Sequence, residues 1–205
     1  MTVYGMPLGM IEANCYIAAD EQTKLCVVID PGDESNYVMD YLERNKLQCQ
    51  YIILTHGHFD HTMAANAVAE QTGAKIAMSK LDAEADLGSA PYRFTPPADT
   101  VWLEDGDELT VGTLTFKIMS TPGHSPGSIS ILCDGCLFTG DTLFRDSCGR
   151  TDLPGGDMPT ILRSLKKLCD LEGDMEVYPG HMDATTLDRE RRFNYYVKYA
   201  YEVLS

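Results

Sequence analysis

Residues 55–61 hold the densest group of metal-binding side chains in the sequence. Three imidazoles and one carboxylate, from His56, His58, Asp60 and His61, lie within six positions. Neutral imidazole and carboxylate are common ligands of zinc and similar ions. His56 and His58 face the same side of an extended segment, because side chains there repeat every two residues. Asp60 and His61 lie where an apolar run indicates the start of a helix. The two pairs therefore approach from different directions, which favours two neighbouring metal ions over one.

Three later residues of the same chemical types, His124, Asp141 and His181, also lie in turns that follow predicted strands. Glycine and proline surround each of them, and these residues let the backbone turn sharply and hold a side chain rigidly. The chain has five histidines, and all of them lie at these strand ends. This pattern predicts that the five imidazoles and the Asp141 carboxylate converge on one metal centre.

The elements that position these residues alternate between strands and helices. The hydrophobic pattern predicts a short strand just before the ligand run, over residues 51–54, and further strands over 3–4, 15–19, 25–29, 75–78, 108–111, 114–119, 128–133, 136–139 and 175–178. Helices are predicted over 37–45, 63–73, 80–87, 159–168 and 193–204, the last with an apolar stripe of Phe193, Val197, Ala200 and Leu204. This order indicates an α/β fold, a four-layer αββα sandwich of two mixed sheets flanked by helices, formed by one domain over residues 1–205.

Composition excludes several classes of function. The formal net charge of −15 would repel nucleic acid and anionic membrane surfaces, and no window is apolar enough for a membrane span. The N-terminus lacks a secretory signal, which predicts a cytoplasmic protein. The seven scattered cysteines are expected to be reduced thiols, and the sequence from Cys133 to Cys136 is expected to be a hairpin turn around Asp-Gly.

The ligand pattern resembles that of the metallo-β-lactamase superfamily over essentially the full chain. The resemblance rests on His56-x-His58-x-Asp60-His61 followed by the three later ligand-type residues, so that all seven positions are filled in order. Residues 14–16, 30–32, 121–127 and 149–157 further resemble short hydrolases akin to glyoxalase II, the hydroxyacylglutathione hydrolases.

The resemblance implies an αββα fold and two metal ions, expected to be Zn²⁺ with iron or manganese as alternatives at either site. One ion would be held by His56, His58 and His124, and the second by Asp60, His61 and His181. Asp141 would bridge both, so that Asp60 and Asp141 are the predicted catalytic residues. Asp30 is expected either to orient a ligand or to cap a helix.

A water between two such ions loses its proton near or below neutral pH, and the resulting hydroxide would attack a carbonyl carbon. No histidine remains to protonate a leaving group. A thiol, with a pKa near 8.5, leaves without a proton donor, which favours a small-molecule thioester, anionic in character, over an amide. A metal-bound water or a tyrosine such as Tyr178 is an alternative proton donor. Oligomeric state is left open.

Two departures from glyoxalase II leave glutathione specificity open. No separate C-terminal helical domain of the kind that grips glutathione is expected after His181, and residues 149–152 replace a segment that contacts glutathione in those enzymes. Candidate substrate contacts are Arg145, Arg150, Tyr92 and Phe94, with solvated or core-packing roles as alternatives.

Two other classes of function remain. Residues 148–152 also resemble persulfide dioxygenases of this superfamily, in which one iron would be held by His56, His124 and Asp141. The second predicted site weighs against that interpretation. A catalytically idle metal-binding scaffold is the third alternative.

Overall fold

Two six-stranded sheets form the centre of the protein. The computed structural model describes residues 1–88 and 93–204. The first sheet has the order β1-β2-β3-β4-β5-β6, and the second has the order β14-β13-β10-β9-β8-β7, with β11 and β12 as a separate pair. The strands are β1 (Thr2–Leu8), β2 (Ala13–Ala19), β3 (Leu25–Ile29), β4 (Gln48–Ile53), β5 (Lys75–Met78), β6 (Val101–Trp102), β7 (Glu108–Val111), β8 (Leu114–Ser120), β9 (Ile129–Cys133), β10 (Cys136–Gly140), β11 (Leu143–Phe144), β12 (Ser147–Cys148), β13 (Glu176–Pro179) and β14 (Thr185–Thr186).

Seven helices lie in the described part of the chain, and most of them pack on the outer faces of the two sheets. They are α1 (Ser35–Asn45), α2 (Phe59–Thr62), α3 (Ala65–Thr72), α4 (Lys80–Glu84), α5 (Met158–Cys169), α6 (Leu187–Phe193) and α7 (Tyr195–Val203). None of these helices combines the length and apolarity that a membrane span requires.

Alternating side chains along the strands produce the layers. In β2, Tyr16 and Ala18 face the second sheet and pack with Phe116 and Phe138, whereas Ile17 faces α1 and α3. A third apolar cluster joins the outer face of the second sheet to α5, α6 and α7. The predicted αββα sandwich is therefore confirmed.

Both sheets mix parallel and antiparallel strands. Strands β1 to β3 pair antiparallel, while β3 to β6 pair in parallel. In the second sheet β10 pairs in parallel with β13 and antiparallel with β9, which is antiparallel to β8. The carboxyl ends of β8, β10 and β13 consequently lie at the same edge.

The prediction of a single closing helix over residues 193–204 is wrong. The chain leaves the helical conformation at Asn194, which separates α6 from α7. The buried Asn194 side chain caps α7 by accepting from the Tyr196 and Val197 amides, and it donates to the carbonyl oxygens of Phe144 and Ser147. Phe193 therefore does not extend the stripe and is 63% exposed. The apolar run after the ligands also divides, into α2 and α3.

The predicted turn between the paired Cys133 and Cys136 is confirmed, with Asp134 and Gly135 at positive φ. All seven cysteines are free thiols, as expected.

Candidate metal centre

The seven predicted ligands come together at one end of the sandwich. His56 and His58 follow β4, and Asp60 and His61 lie in the single turn of α2, as the sequence predicts. The remaining three ligands come from the second sheet and follow β8, β10 and β13: His124, Asp141 and His181. Strand ends of both sheets therefore supply the centre, which is why residues up to 125 positions apart converge there.

His56, His58 and His124 form a first group, with one potential ligand atom from each lying within 4.8 Å of the other two. His58 Nδ1 and His124 Nε2 are 2.9 Å apart. All three side chains are buried.

Asp60, His61 and His181 form a second group of the same dimensions. His181 Nε2 lies 3.3 Å from both His61 Nε2 and Asp60 Oδ2. The His61 ring is fully buried, while Asp60 and His181 are partly exposed. This group is therefore the one that solvent reaches.

Asp141 lies between the two groups. Its Oδ2 is 3.4 Å from His124 Nε2 of the first group, and its Oδ1 is 3.5 Å from His61 Nε2 of the second. Glycine is required beside it, because a Cβ on Gly180 would lie 2.2 Å from Asp141 Oδ1.

The donor set fits a cation. Within the described residues, the buried side-chain atoms without a hydrogen-bond partner are His56 Nε2, His58 Nε2, Asp141 Oδ1 and one other, Asn66 Oδ1. Leaving a buried polar atom unpaired costs about 1–3 kcal/mol. Metal coordination at His56 Nε2 and Asp141 Oδ1 would offset this cost.

Hydrogen bonds orient the imidazoles from outside the two groups. Asp30 Oδ2 accepts from His61 Nδ1 (3.0 Å) and from Thr55 Oγ1 (2.5 Å), while its Oδ1 accepts from the Thr55 amide (2.7 Å). Thr55 Oγ1 accepts in turn from His56 Nδ1 (3.1 Å). In the neutral form of each ring, these bonds therefore keep the proton on Nδ1 and leave Nε2 free to face the centre. Asp30 therefore makes the hydrogen bond that an orienting role requires, and its helix-capping alternative is wrong because Glu34 holds the N-cap position of α1.

The backbone also contributes to ring orientation. The Arg150 carbonyl accepts from His124 Nδ1 at 2.8 Å. The loop that carries His181 is held by β2, since Tyr16 Oη donates to the Pro179 carbonyl and Asn14 Nδ2 donates to the Pro179 and Met182 carbonyls. The sequence marked Asn14 and Tyr16 only through family resemblance, and nothing in it marked Thr55.

Burial and neighbouring charges set the protonation of the imidazoles. Burial, together with the nearby imidazoles, lowers the pKa of His56 well below its usual value and that of His58 to about 4. Burial would likewise lower the pKa of His61, but Asp141, Asp30 and Asp60 outweigh it and raise that pKa to about 9. His56 and His58 are therefore neutral at pH 7 and ready to bind a metal, whereas His61 must first lose a proton.

Desolvation raises the pKa of Asp60, but a hydrogen bond from His181 and the neighbouring imidazoles outweigh it and lower that pKa to about 2. Asp60 is therefore ionised at pH 7 and can bind a cation without losing a proton.

The structure shows what three of the four predicted substrate-contact residues bind or pack against. Arg145 pairs with Asp183 at 3.3 Å, and Arg150 makes a bidentate pair with Asp152. Both arginines are therefore engaged with exposed acids. Phe94 packs in part against the core cluster of the first sheet, which favours the packing role. Tyr92 lies outside the described residues.

The alternative proton donor, Tyr178, is not in the centre. Its ring stacks on Phe138 at 5.2 Å and contacts Tyr16, between the two sheets. Its hydroxyl lies near Cys136, at the end of β10 opposite to Asp141. The alternative in which Tyr178 protonates a leaving group is therefore wrong.

Comparisons with known proteins cover almost the whole chain. The family model of the metallo-β-lactamase superfamily matches residues 9–181. Hydroxyacylglutathione hydrolase GloC of Haemophilus influenzae is 33% identical over 206 residues, covering 95% of this chain and 97% of GloC.

Three solved structures share the fold of this chain but are proteins with different names. BLEG-1 B3 metallo-β-lactamase superposes with a TM-score of 0.86 at 34% identity, over 96% of this chain and 99% of that one. TTHA1623, in a di-iron-bound form, gives a TM-score of 0.83 at 35% identity, with coverages of 95% and 100%. ETHE1 from Myxococcus xanthus gives a TM-score of 0.79 at 31% identity, with coverages of 95% and 84%.

Proposed function

The chain belongs to the metallo-β-lactamase superfamily, and from this membership and the geometry of the centre we propose that it is a two-metal hydrolase that cleaves a thioester. The position of Asp141 carries the proposal. Its Oδ2 lies 3.4 Å from His124 in the first group and its Oδ1 lies 3.5 Å from His61 in the second. A carboxylate so placed can serve two ions at once.

In this proposal each group holds one metal ion. His56, His58 and His124 would hold the first, Asp60, His61 and His181 would hold the second, and Asp141 would be available to both. Two Zn²⁺ ions are the proposed pair, and the di-iron form of TTHA1623 supports iron as the alternative. When bound, such ions act as Lewis acids and lower the pKa of a coordinated water.

The chain's own residues favour a thioester. All five imidazoles lie in the two groups, so none remains as a separate acid, and the Tyr178 hydroxyl lies at the far end of β10. An amide nitrogen needs a proton to depart, whereas a thiol with a pKa near 8.5 departs as the thiolate. The likeness to a hydroxyacylglutathione hydrolase supports the same substrate class.

The rim of the centre offers apolar contacts to such a substrate. Asn14, at the base of the β1–β2 turn, is bonded to Gly180 and Met182, which places this turn beside the His181 loop. Met10 is fully exposed there, and Ile11 and Met182 are 52% and 58% exposed. We propose that they contact the acyl or thiol portion of a small anionic thioester. Free thiols throughout the chain fit a cytoplasmic location.

A second candidate function is that of a mono-iron persulfide dioxygenase. The likeness to ETHE1 of Myxococcus xanthus favours it, and His56, His124 and Asp141 would hold the iron. The second group, complete with Asp60, His61 and His181, is not needed for a single iron, so the hydrolase is the preferred proposal.

Metal analysis and a substrate panel test the proposal. The full chain, purified without added metal, should contain about two zinc ions and should hydrolyse acyl-glutathione or acyl-coenzyme A faster than a lactone or a β-lactam. The β-lactam is included because of the likeness to BLEG-1. One iron per chain, with oxygen uptake on glutathione persulfide, would reverse the preference, and β-lactam cleavage faster than thioester cleavage would contradict the substrate class.

A further inference from the structure

Asp82 is a buried carboxylate that belongs to neither group of ligands. It lies in the short helix α4 and is 4% exposed. Both of its oxygens accept hydrogen bonds: Oδ2 from the Gly57 amide (2.8 Å) and Ser125 Oγ (2.6 Å), and Oδ1 from the Gly127 amide (2.5 Å). Charge-assisted bonds of this kind are about twice as strong as neutral ones.

The partners of Asp82 adjoin the three imidazoles of the first group. Gly57 lies between His56 and His58, and Ser125 follows His124 directly. The two loops follow strands of different sheets. His58 and His124, which contact each other, are 66 residues apart in the sequence. One carboxylate therefore links the only two chain segments that carry the first group.

Close packing makes this link specific to its site. A Cβ on Gly127 would lie 2.6 Å from the Asp82 amide nitrogen and 2.7 Å from its Oδ1, and a Cβ on Gly57 would lie 3.3 Å from the Asp82 Cβ. Glycine at both positions lets the two loops approach α4 this closely. Ser128 Oγ reinforces the contact through Ser125 Oγ at 2.6 Å.

We propose that Asp82 is a positioning residue for the first metal ion, which fixes the His56–His58 loop relative to His124. The inference rests on the proposed two-metal function, but it concerns the first group alone. Residues that orient metal ligands without touching the metal change its affinity by about 10–100-fold when they are replaced. No hydrogen bond of the Asp82 side chain reaches the second group. Replacement of Asp82 should therefore affect the two ions unequally.

Asp20 provides a matched control. It is also a buried carboxylate, 3% exposed, and accepts from the amides of Gln22 and Thr113 and the hydroxyls of Thr23 and Thr113. It follows the carboxyl end of β2, which runs antiparallel to β3 and so lies at the end of the sheet away from the metal centre. Asp20→Asn removes a similar network without touching either group.

The test is zinc affinity measured on the full-length chain in competition with a chromophoric chelator. His181→Ala leaves the first group as the stronger site, and His124→Ala leaves the second. Asp82→Asn should weaken zinc binding about 10–100-fold in the His181→Ala background and less than about threefold in the His124→Ala background. Asp20→Asn should change neither affinity by more than about threefold. Circular dichroism checks the fold, and Ser125→Ala, expected to cost about 10-fold, replaces Asp82→Asn if the latter does not fold.

Equal weakening in both backgrounds, or none in either, would overturn the positioning role while leaving the two-metal proposal in place. A parent chain that binds no zinc would instead overturn the proposed function, and the role of Asp82 with it.

Discussion

Replacement of Asp30 by asparagine would test the hydrogen bonds that orient His61. The carboxylate accepts from the Thr55 amide through Oδ1, and from Thr55 Oγ1 and His61 Nδ1 through Oδ2. An amide side chain has one accepting oxygen and one donating NH₂ group, so it cannot accept at both positions.

Each orientation of the new amide creates a different conflict. With NH₂ in place of Oδ1, two donors face each other at the Thr55 amide. With NH₂ in place of Oδ2, His61 Nδ1 must accept, so the neutral ring would carry its proton on Nε2. That nitrogen lies 3.3 Å from His181 Nε2 and 3.6 Å from Asp60 Oδ2, so a proton there would block the second group as a metal site.

The expected magnitudes follow from these conflicts. One buried unsatisfied donor costs about 1–3 kcal/mol, so the free energy of unfolding of the metal-free chain should fall by about that amount. Zinc affinity of the second group should fall by about 10–100-fold, which corresponds to about 1.4–2.8 kcal/mol. Asp33→Asn is the matched control, because it makes the same change at an exposed carboxylate in the same loop and should alter stability by less than about 0.5 kcal/mol.

Urea unfolding in the presence of a chelator measures the free energy of unfolding of the metal-free chain. Titration with zinc in competition with a chromophoric chelator measures the zinc affinity. The reasoning would be refuted if Asp30→Asn bound two zinc ions as tightly as the parent chain. It would also be refuted if Asp33→Asn lost as much zinc affinity as Asp30→Asn.

Changes at other positions should have effects of different kinds. Asp60→Ala removes a ligand rather than its support, so thioester hydrolysis should fall by more than about 100-fold with circular dichroism unchanged; parent-like turnover would exclude a working second metal. Because carboxylates, led by Asp141, raise the pKa of His61 to about 9, zinc binding at pH 7 should release about one proton per chain, measurable by calorimetry in two buffers. The same shift stabilises the metal-free fold below pH 6.5, and this contribution should be lost as the pH rises through 9. Desolvation raises the pKa of Cys148 and Cys169 to about 12, so iodoacetamide at pH 8 should label both slowly in the native chain and rapidly in urea; fast native labelling would contradict the raised pKa values.

The ligand positions could be predicted from sequence because they lie in turns after strands or, for Asp60 and His61, at the start of a helix. A strand that ends in His, Asp, Gly or Pro leaves a local signal, and the chain has few histidines, so their shared placement was informative. The layers could be predicted from the order of the elements, because strands followed by a helix, and then the same again, indicate two sheets with helices outside.

The supporting contacts could not be predicted because they depend on tertiary proximity. Thr55 is adjacent to His56 in sequence, but its role requires Asp30, which lies 25 residues earlier. Asp82 looks like an ordinary helix residue until Gly57 and Gly127 are brought against it. The break at Asn194 was missed because its cause is the pair of carbonyls at Phe144 and Ser147, about 50 residues away.

The centre is organised by contacts that do not involve a metal. Asp30 and Thr55 orient two imidazoles, Asp82 joins two loops, and Asn14 anchors a third. Small zinc domains instead obtain much of their folding free energy from the ion, whereas here three apolar clusters hold the sheets and helices together. The fold therefore does not depend on metal binding for its stability. His56 Nε2 and Asp141 Oδ1 lack hydrogen-bond partners, so the free energy of metal binding can hold these two atoms in the positions that the proposed catalysis requires.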